Sequence, residues 1–233
     1  MAITSEYREQ ENIAYFDRWA KTYDTGRISQ WFQYTQSLAI NALAPTEDSN
    51  VLDLGCGTGA AVLQLGQFLV EGRACGVDIS EEMVRQATAK IPEELIARVE
   101  FRQGSSDAIP YADETFDGII CTNSFHHYPD PVQALQEMQR VLKDNGQIVV
   151  LDNAPDLSWY TWLWDKILRV IETGHIRYYP SQELGGFFRE AGLKNVELRY
   201  LQNERFKYGK LFASLQVWSG HKPDTILGAV KGR

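Results

Sequence analysis

The stretch VLDLGCGTG, residues 51–59, decides the reading of this chain. Four residues with strand character run into a turn holding three glycines, and GAAVLQLGQFL then continues with helical spacing. Such a strand, glycine turn and helix let backbone N–H groups and a helix N-terminus approach a ligand closely. Gly55, Gly57 and Ala60 also satisfy the GxGxxG/A spacing of dinucleotide sites, so the loop predicts a nucleotide-like ligand without saying which. Downstream, ACGVDIS places Asp78 at a strand end, at a distance along the chain suited to accepting hydrogen bonds from both hydroxyls of a ribose.

The flanking pattern alternates. After the glycine helix come ACGVD, EEMVRQATAK, VEFRQ, FDGIICT, PVQALQEMQRVLK (through Lys143) and GQIVVLD (from Gly146), strands and helices in turn. This rhythm predicts an α/β fold with a mostly parallel sheet covered on both faces. Asp130 and Pro131 suit the cap and first position of the helix that follows FDGIICT. Residues 5–44 read as one or two leading helices, with Ile13, Phe16, Trp19, Ala20 and Tyr23 at spacings of three and four. Residues 153–180 interrupt the rhythm with DLSWYTWLWDKILRVIETGHIRYYP, where three of the six tryptophans fall within six residues. Ser181 then caps a short helix, and NVELRYL and KLFASLQVW read as two antiparallel strands joined by a short turn. Without a long linker, 1–233 is expected to be one domain, with a helical cap at 1–45, a binding core at 46–152, a lid insertion at 153–180 and a final helix and strand pair at 181–233.

Composition narrows the partners. With 44% hydrophobic residues a sizeable core is available, and a formal charge of -8 with no basic run argues against nucleic acid. Cys56, Cys75 and Cys121 are an odd number with no CxxC spacing, which fits reduced core residues better than a disulfide framework or a zinc site. The opening MAITSEYREQEN has no apolar signal core, and no segment reaches about 18 uninterrupted apolar residues, so the expectation is a cytoplasmic protein without an integral membrane segment.

From Tyr15 to Trp218 the chain resembles the class I S-adenosylmethionine-dependent methyltransferases, in the small-molecule branch that includes ubiquinone and menaquinone methylases. Four segments in family order carry the resemblance: VLDLGCGTG, GVDIS, SSDAIPYADETFDGIICTNSFHHYPD and LKDNGQIVVLD. It implies a Rossmann-like sheet of seven strands with an antiparallel C-terminal pair, and S-adenosyl-L-methionine across the C-terminal strand ends. Gly55, Gly57 and Gly59, with Cys56 between them, would let the backbone pass the methionine portion, while Asp53 would orient the loop or meet the ammonium through water. Asp78 would hold the ribose, with Ile79 and Met83 on the adenine. Where the family commonly has DAxxLPF, this chain places Ser105 at the acidic position, Ser106 next and Asp107 two residues on. A hydroxyl accepts from the adenine amino group less strongly than a carboxylate. Ser105 and the Ser106 backbone are therefore expected there, with Asp107 as rival. Asn123 and Ser124 would contact the methionine portion, and Tyr23, in AKTYD, would close the site.

Methyl transfer from a sulfonium requires no triad; a base helps only an acceptor that must lose a proton. His126 and His127 fall at the substrate mouth, either as wall or as base, the two not being separable; a metal is disfavoured because no Cys, Asp or Glu partner stands at suitable spacing. The aromatic insertion 157–179 reads as the roof of a pocket for a small apolar or aromatic acceptor, or as core or a homodimer contact, with His175, Arg177 and Tyr178 as polar contributors. Two other functions share the glycine loop. An NAD(P)-dependent oxidoreductase would be expected to carry a YxxxK pair, which is missing, and a non-catalytic S-adenosylmethionine-binding protein would leave the same motifs.

Overall fold

The computed structural model describes residues 5–25, 27–172, 174–200 and 214–223. Two helices lead, α1 (Ser5–Ala20) and α2 (Arg27–Leu43). Alternation follows as β1 (Asn50–Leu54), α3 (Ala60–Phe68), β2 (Arg73–Asp78), α4 (Glu81–Ala89), β3 (Val99–Gln103), β4 (Phe116–Thr122), α5 (Pro131–Val141) and β5 (Leu142–Asn153). The remainder is α6 (Trp159–Ile171), α7 (Ser181–Glu190), β6 (Lys194–Tyr200) and β7 (Leu215–His221). The seven strands form one sheet in the order β3-β2-β1-β4-β5-β7-β6. β1 through β5 pair in parallel and β7 runs antiparallel to both β5 and β6, as expected for the fold.

Side chains alternate across the strands, so neighbours feed opposite cores. Leu52, Leu54, Ile119 and Cys121 pack with Leu135 and Met138 of α5 and Phe188 of α7. Val51, Ile120, Val149 and Leu151 pack on the other face with Ala61 and Leu65 of α3 and Trp31, Ala39 and Leu43 of α2. α2 is thus a layer of the sheet. At Gly118 of β4 a Cβ would stand 2.8 Å from the Leu43 side chain, so the missing side chain sets how closely α2 approaches.

Two boundaries differ from expectation. The helix read through Lys143 ends at Val141, and β5 begins at Leu142 rather than Gly146. Leu142 is fully buried and pairs with Phe116 before the register shifts at Gly118, so sheet pairing overrides the helical spacing. The last strand, read from Lys210 to Trp218, occupies Leu215–His221; its expected start and the turn before it lie outside the described residues. No helix among the described residues is long and apolar enough to cross a membrane.

β1 and β4 are neighbours from which the chain winds in opposite directions, a crevice where open α/β sheets bind ligands. Asp130 caps α5 beside it, its carboxylate accepting from the N–H of Val132 at 3.1 Å and of Gln133 at 2.9 Å. Asp130→Ala is expected to lower stability by about 1 kcal/mol in urea unfolding, with an unchanged cofactor affinity.

Candidate active site

Above the β1/β4 crevice lies a cavity of about 750 Å³. The end of β2 holds its floor. The Val77 carbonyl accepts from the N–H of Gly55 (2.8 Å) and Cys56 (3.0 Å), while Asp78 accepts from Gly57 N–H (2.8 Å) and Ser80 N–H (2.9 Å). Gly55 has a φ of 78°, and a Cβ there would sit 1.9 Å from Ser124 Oγ. Gly57 has a φ of 52° and carries the Tyr23 ring against it, 3.3 Å from where a Cβ would stand. A side chain at either position would fill the cradle or strain the loop.

The residues expected at the site fall into two groups. Gly55, Gly57, Asp78, Ile79, Met83, Ser105, Ser106, Asp107, Asn123, Ser124, Tyr23, His126 and His127 all line the cavity. Asp53, Cys56 and Gly59 stand behind its wall: Asp53 is fully buried, Cys56 lies beneath Gly76, and Gly59 opens α3 against Phe101. Neither Asp53 oxygen has a hydrogen-bond partner among the described residues. Burial, reinforced by the charge of Asp78, pushes its carboxyl up to about 8. Asp78 is pushed up to about 6 by burial, against the pull of its two N–H donors. Ser105 donates its hydroxyl to Asp107, so the two candidates for the adenine edge are bonded to each other.

α1 and the turn after it close the near side. Ser80 Oγ donates to Asp17 at 2.5 Å, and Asp24 accepts from Thr58 Oγ1 at 2.6 Å and from Lys90. The Asp24–Thr58 bond ties AKTYD to the glycine loop and the Asp17–Ser80 bond ties α1 to the start of α4, with the Tyr23 ring stacked on Phe32, 5.1 Å between centroids. Asn12, Tyr15, Phe16 and Trp19 join the wall.

The histidine pair occupies the far side. Asp152 at the end of β5 takes the His126 backbone N–H at 3.1 Å and the Nδ1–H at 2.8 Å, so that in the neutral ring the lone pair lies on Nε2. His127 donates Nδ1–H to the Gly174 carbonyl at 2.8 Å, and its Nε2 lies 3.7 Å from Glu172. Burial holds His127 well below the usual histidine value and raises Glu172, shifting each toward its neutral form. His175 bonds to Asp165 through Nε2 at 2.9 Å, outside the cavity wall, and Arg177 turns away to Glu183 at 2.7 Å; Tyr178 is in the wall.

Several wall or supporting residues went unread in the sequence. Asp152 shows the signal that marked Asp78, an acid ending an apolar strand, and could have been found by it. Glu172, Asn12 and Phe32 lie in no motif and carried no such signal.

A family model described as a methyltransferase domain matches residues 45–174, more than half of the chain. A demethylmenaquinone methyltransferase of Lactiplantibacillus plantarum is 30% identical over 218 residues, covering 83% of this chain and 87% of the relative. The uncharacterized methyltransferase YcgJ of Bacillus subtilis is 32% identical over 142 residues, 60% of this chain and only 55% of YcgJ. The methyltransferase solved with the Trm112 methyltransferase activator of Haloferax volcanii shares the fold at a TM-score of 0.76 and 22% identity, over 90% of this chain and 98% of that one.

The fold and the glycine-loop crevice define a class I methyltransferase, and the chain belongs to the methyltransferase-domain family. It is an S-adenosylmethionine-dependent enzyme; the dinucleotide alternative left open by the glycine spacing gives way. The site fits that cofactor, since the glycine cradle admits close approach and Asp78 offers its carboxylate beside it, with the Asn123 Oδ1 acceptor unpartnered nearby.

Because the folded Asp53 binds its proton more tightly than an unfolded carboxyl, its contribution is greatest at low pH and is lost as pH rises through about 8. The cofactor-free protein is expected to lose stability between the ordinary carboxylate value of 3.8 and about 8. Asp53→Asn should flatten that slope in urea titrations across the same range; parallel slopes would contradict the assignment.

Proposed function

We propose that the enzyme methylates a small apolar or aromatic acceptor that must lose a proton, with His126 as the base and Asp152 as the residue that orients it. One observation carries the reading: a histidine with Nδ1–H clamped by a buried carboxylate lies in the wall of the same cavity as the glycine loop and Asp78. The arrangement sets the tautomer of the neutral ring and leaves Nε2 as the proton acceptor. Phe16 and Phe32 on the near side and Leu163, Trp164 and Ile167 of α6 give the cavity a large apolar surface, which suits a flat or greasy molecule. The demethylmenaquinone named for the Lactiplantibacillus relative is of that kind.

When bound, S-adenosylmethionine supplies a methyl group already activated on a sulfonium, which leaves alignment, water exclusion and proton acceptance to the protein. Asp78 would accept from the ribose hydroxyls, and Ile79 and Met83 would face the adenine. Ser105, Ser106 and Asp107 would meet the adenine edge, the Ser105–Asp107 bond allowing them to act as a unit. Gly55, Gly57, Asn123 and Ser124 would surround the methionine portion, and Tyr23 would cover it from above Gly57. Asp53, Cys56 and Gly59 would act from behind the loop. His127 is assigned to the wall, because its Nδ1 is held by Gly174 and burial keeps it neutral.

Asp78→Ala is expected to weaken S-adenosylmethionine binding at least tenfold, about 1.4 kcal/mol or more, by removing a buried acceptor. Calorimetry on the folded variant tests this, and an unchanged affinity would sink the ribose assignment. Asp152→Asn keeps the shape but not the tautomer and should lower kcat by about 10²–10⁴-fold while cofactor affinity stays near wild type. A screen of phenolic, quinone, amine and carboxylate acceptors, read by S-adenosylhomocysteine production, identifies the substrate class. Turnover confined to small polar amines would overturn the apolar, proton-losing acceptor.

A further inference from the structure

α6 is amphipathic the wrong way round for a helix packed in water. Its buried side chains are Thr161, Asp165 and Leu168, while Trp159, Trp162, Val170 and Ile171 are exposed, Val170 at 84%. Eight of the thirteen exposed large apolar residues among those described belong to this one helix. The helix cannot roll to hide them, because Asp165 is pinned on its inner side. That carboxylate accepts from Tyr178 N–H at 2.7 Å, from Arg169 at 2.5 Å and from His175 at 2.9 Å. Concentration of apolar surface on this scale marks an interaction site.

We infer that α6 is a membrane-surface element, lying in the plane of an anionic lipid bilayer with its tryptophan face among the headgroups. Its 13 residues are too few to span a bilayer but suit an interfacial helix. Tryptophan and tyrosine favour that boundary, where one edge of the ring stays wet. Charge selects the same occupant. α6 has one acid, Asp165, which is buried and pairs with Arg169; the cation left outward is Lys166, 5.9 Å from the Trp162 ring. A two-fold pairing of this face with a second copy would bury Lys166 in apolar surface with no free carboxylate on the face to receive it. An anionic headgroup would meet Lys166 directly, while the chain's net charge of -8 turns the rest of the molecule away from the surface.

The apolar face is also continuous with the cavity. Tyr160, Leu163, Trp164 and Ile167 belong to both the exposed set and the cavity wall, and Ile28 of α2, 47% exposed, does the same from the other side. An acceptor dissolved in lipid would therefore enter without crossing water. That supply route rests on the acceptor reading above; the docking does not.

The test uses the full chain with vesicles of phosphatidylglycerol and phosphatidylcholine in flotation, beside vesicles of phosphatidylcholine alone. Flotation with the anionic vesicles is expected, weaker on the neutral ones. A Trp162→Ser, Val170→Ser double variant should lower partitioning about tenfold or more, and Lys166→Glu should lower it mainly on anionic vesicles. None of these positions lines the cavity, so cofactor affinity should be retained in all three proteins, which separates a failure of docking from a failure of the proposed reaction. No flotation at millimolar lipid, or flotation that the double variant leaves unchanged, would overturn the inference. So would a concentration-dependent dimer in sedimentation velocity that the same double variant dissociates.

Discussion

At the end of β2 two adjacent residues gather four backbone N–H groups: Val77 through its carbonyl and Asp78 through its carboxylate. Three of the donors belong to the glycine loop, residues 55–57, and the fourth to Ser80 at the start of α4. The loop is held open from outside, by the neighbouring strand. Ser80 extends the chain of contacts to α1 through Asp17, so the same strand end also positions the helix that closes the cavity. Burying Asp78 raises its carboxyl, and the N–H bonds limit the rise. A group used in this way remains an acceptor for a ligand while it organises the backbone around it.

Buried acids recur as hubs elsewhere. Asp152 fixes the 124–128 turn by taking both the backbone and ring N–H of His126, and Asp165 ties α6 to residues 175 and 178. Removing any of these carboxylates would strand buried donors, at a larger cost than loss of an exposed ion pair such as Arg102 with Glu100. Asp53 differs in having no partner among the described residues, and burial raises its carboxyl to about 8, above the value of about 6 for Asp78. The protein thus holds two kinds of buried acid, one paired to donors that organise the structure and one whose burial favours the protonated form.

Much of this architecture was legible locally. Apolar runs of strand length, separated by helical spacing, announced the α/β sheet, and Gly55, Gly57 and Asp78 announced the crevice because their roles depend on the conformation of a few adjacent residues. The pair at residues 126 and 127 was placed at the substrate side by its position after β4, yet its members could not be separated. The distinction between them lies in partners 26 residues away for His126 and 47 away for His127. The start of β5 was missed because Leu142 and Val141 continue the spacing of α5, and only pairing with Phe116 ends the helix there. The orientation of α6 was equally hidden: its periodicity shows an apolar stripe but not which side faces the protein.

By itself the sequence determined the elements, their order, the glycine loop and the acid that follows it, since each depends on backbone preferences and spacings within about one turn or one strand. Tertiary structure decided which histidine a carboxylate clamps, that Asp53 has no partner among the described residues, and that α6 turns its tryptophans outward. These outcomes depend on strand neighbours such as β4 beside β5, and on a carboxylate satisfied by groups brought together from separate segments. A hydrogen bond or a buried charge is set by what stands opposite it in space, and spacing along the chain does not specify that neighbour.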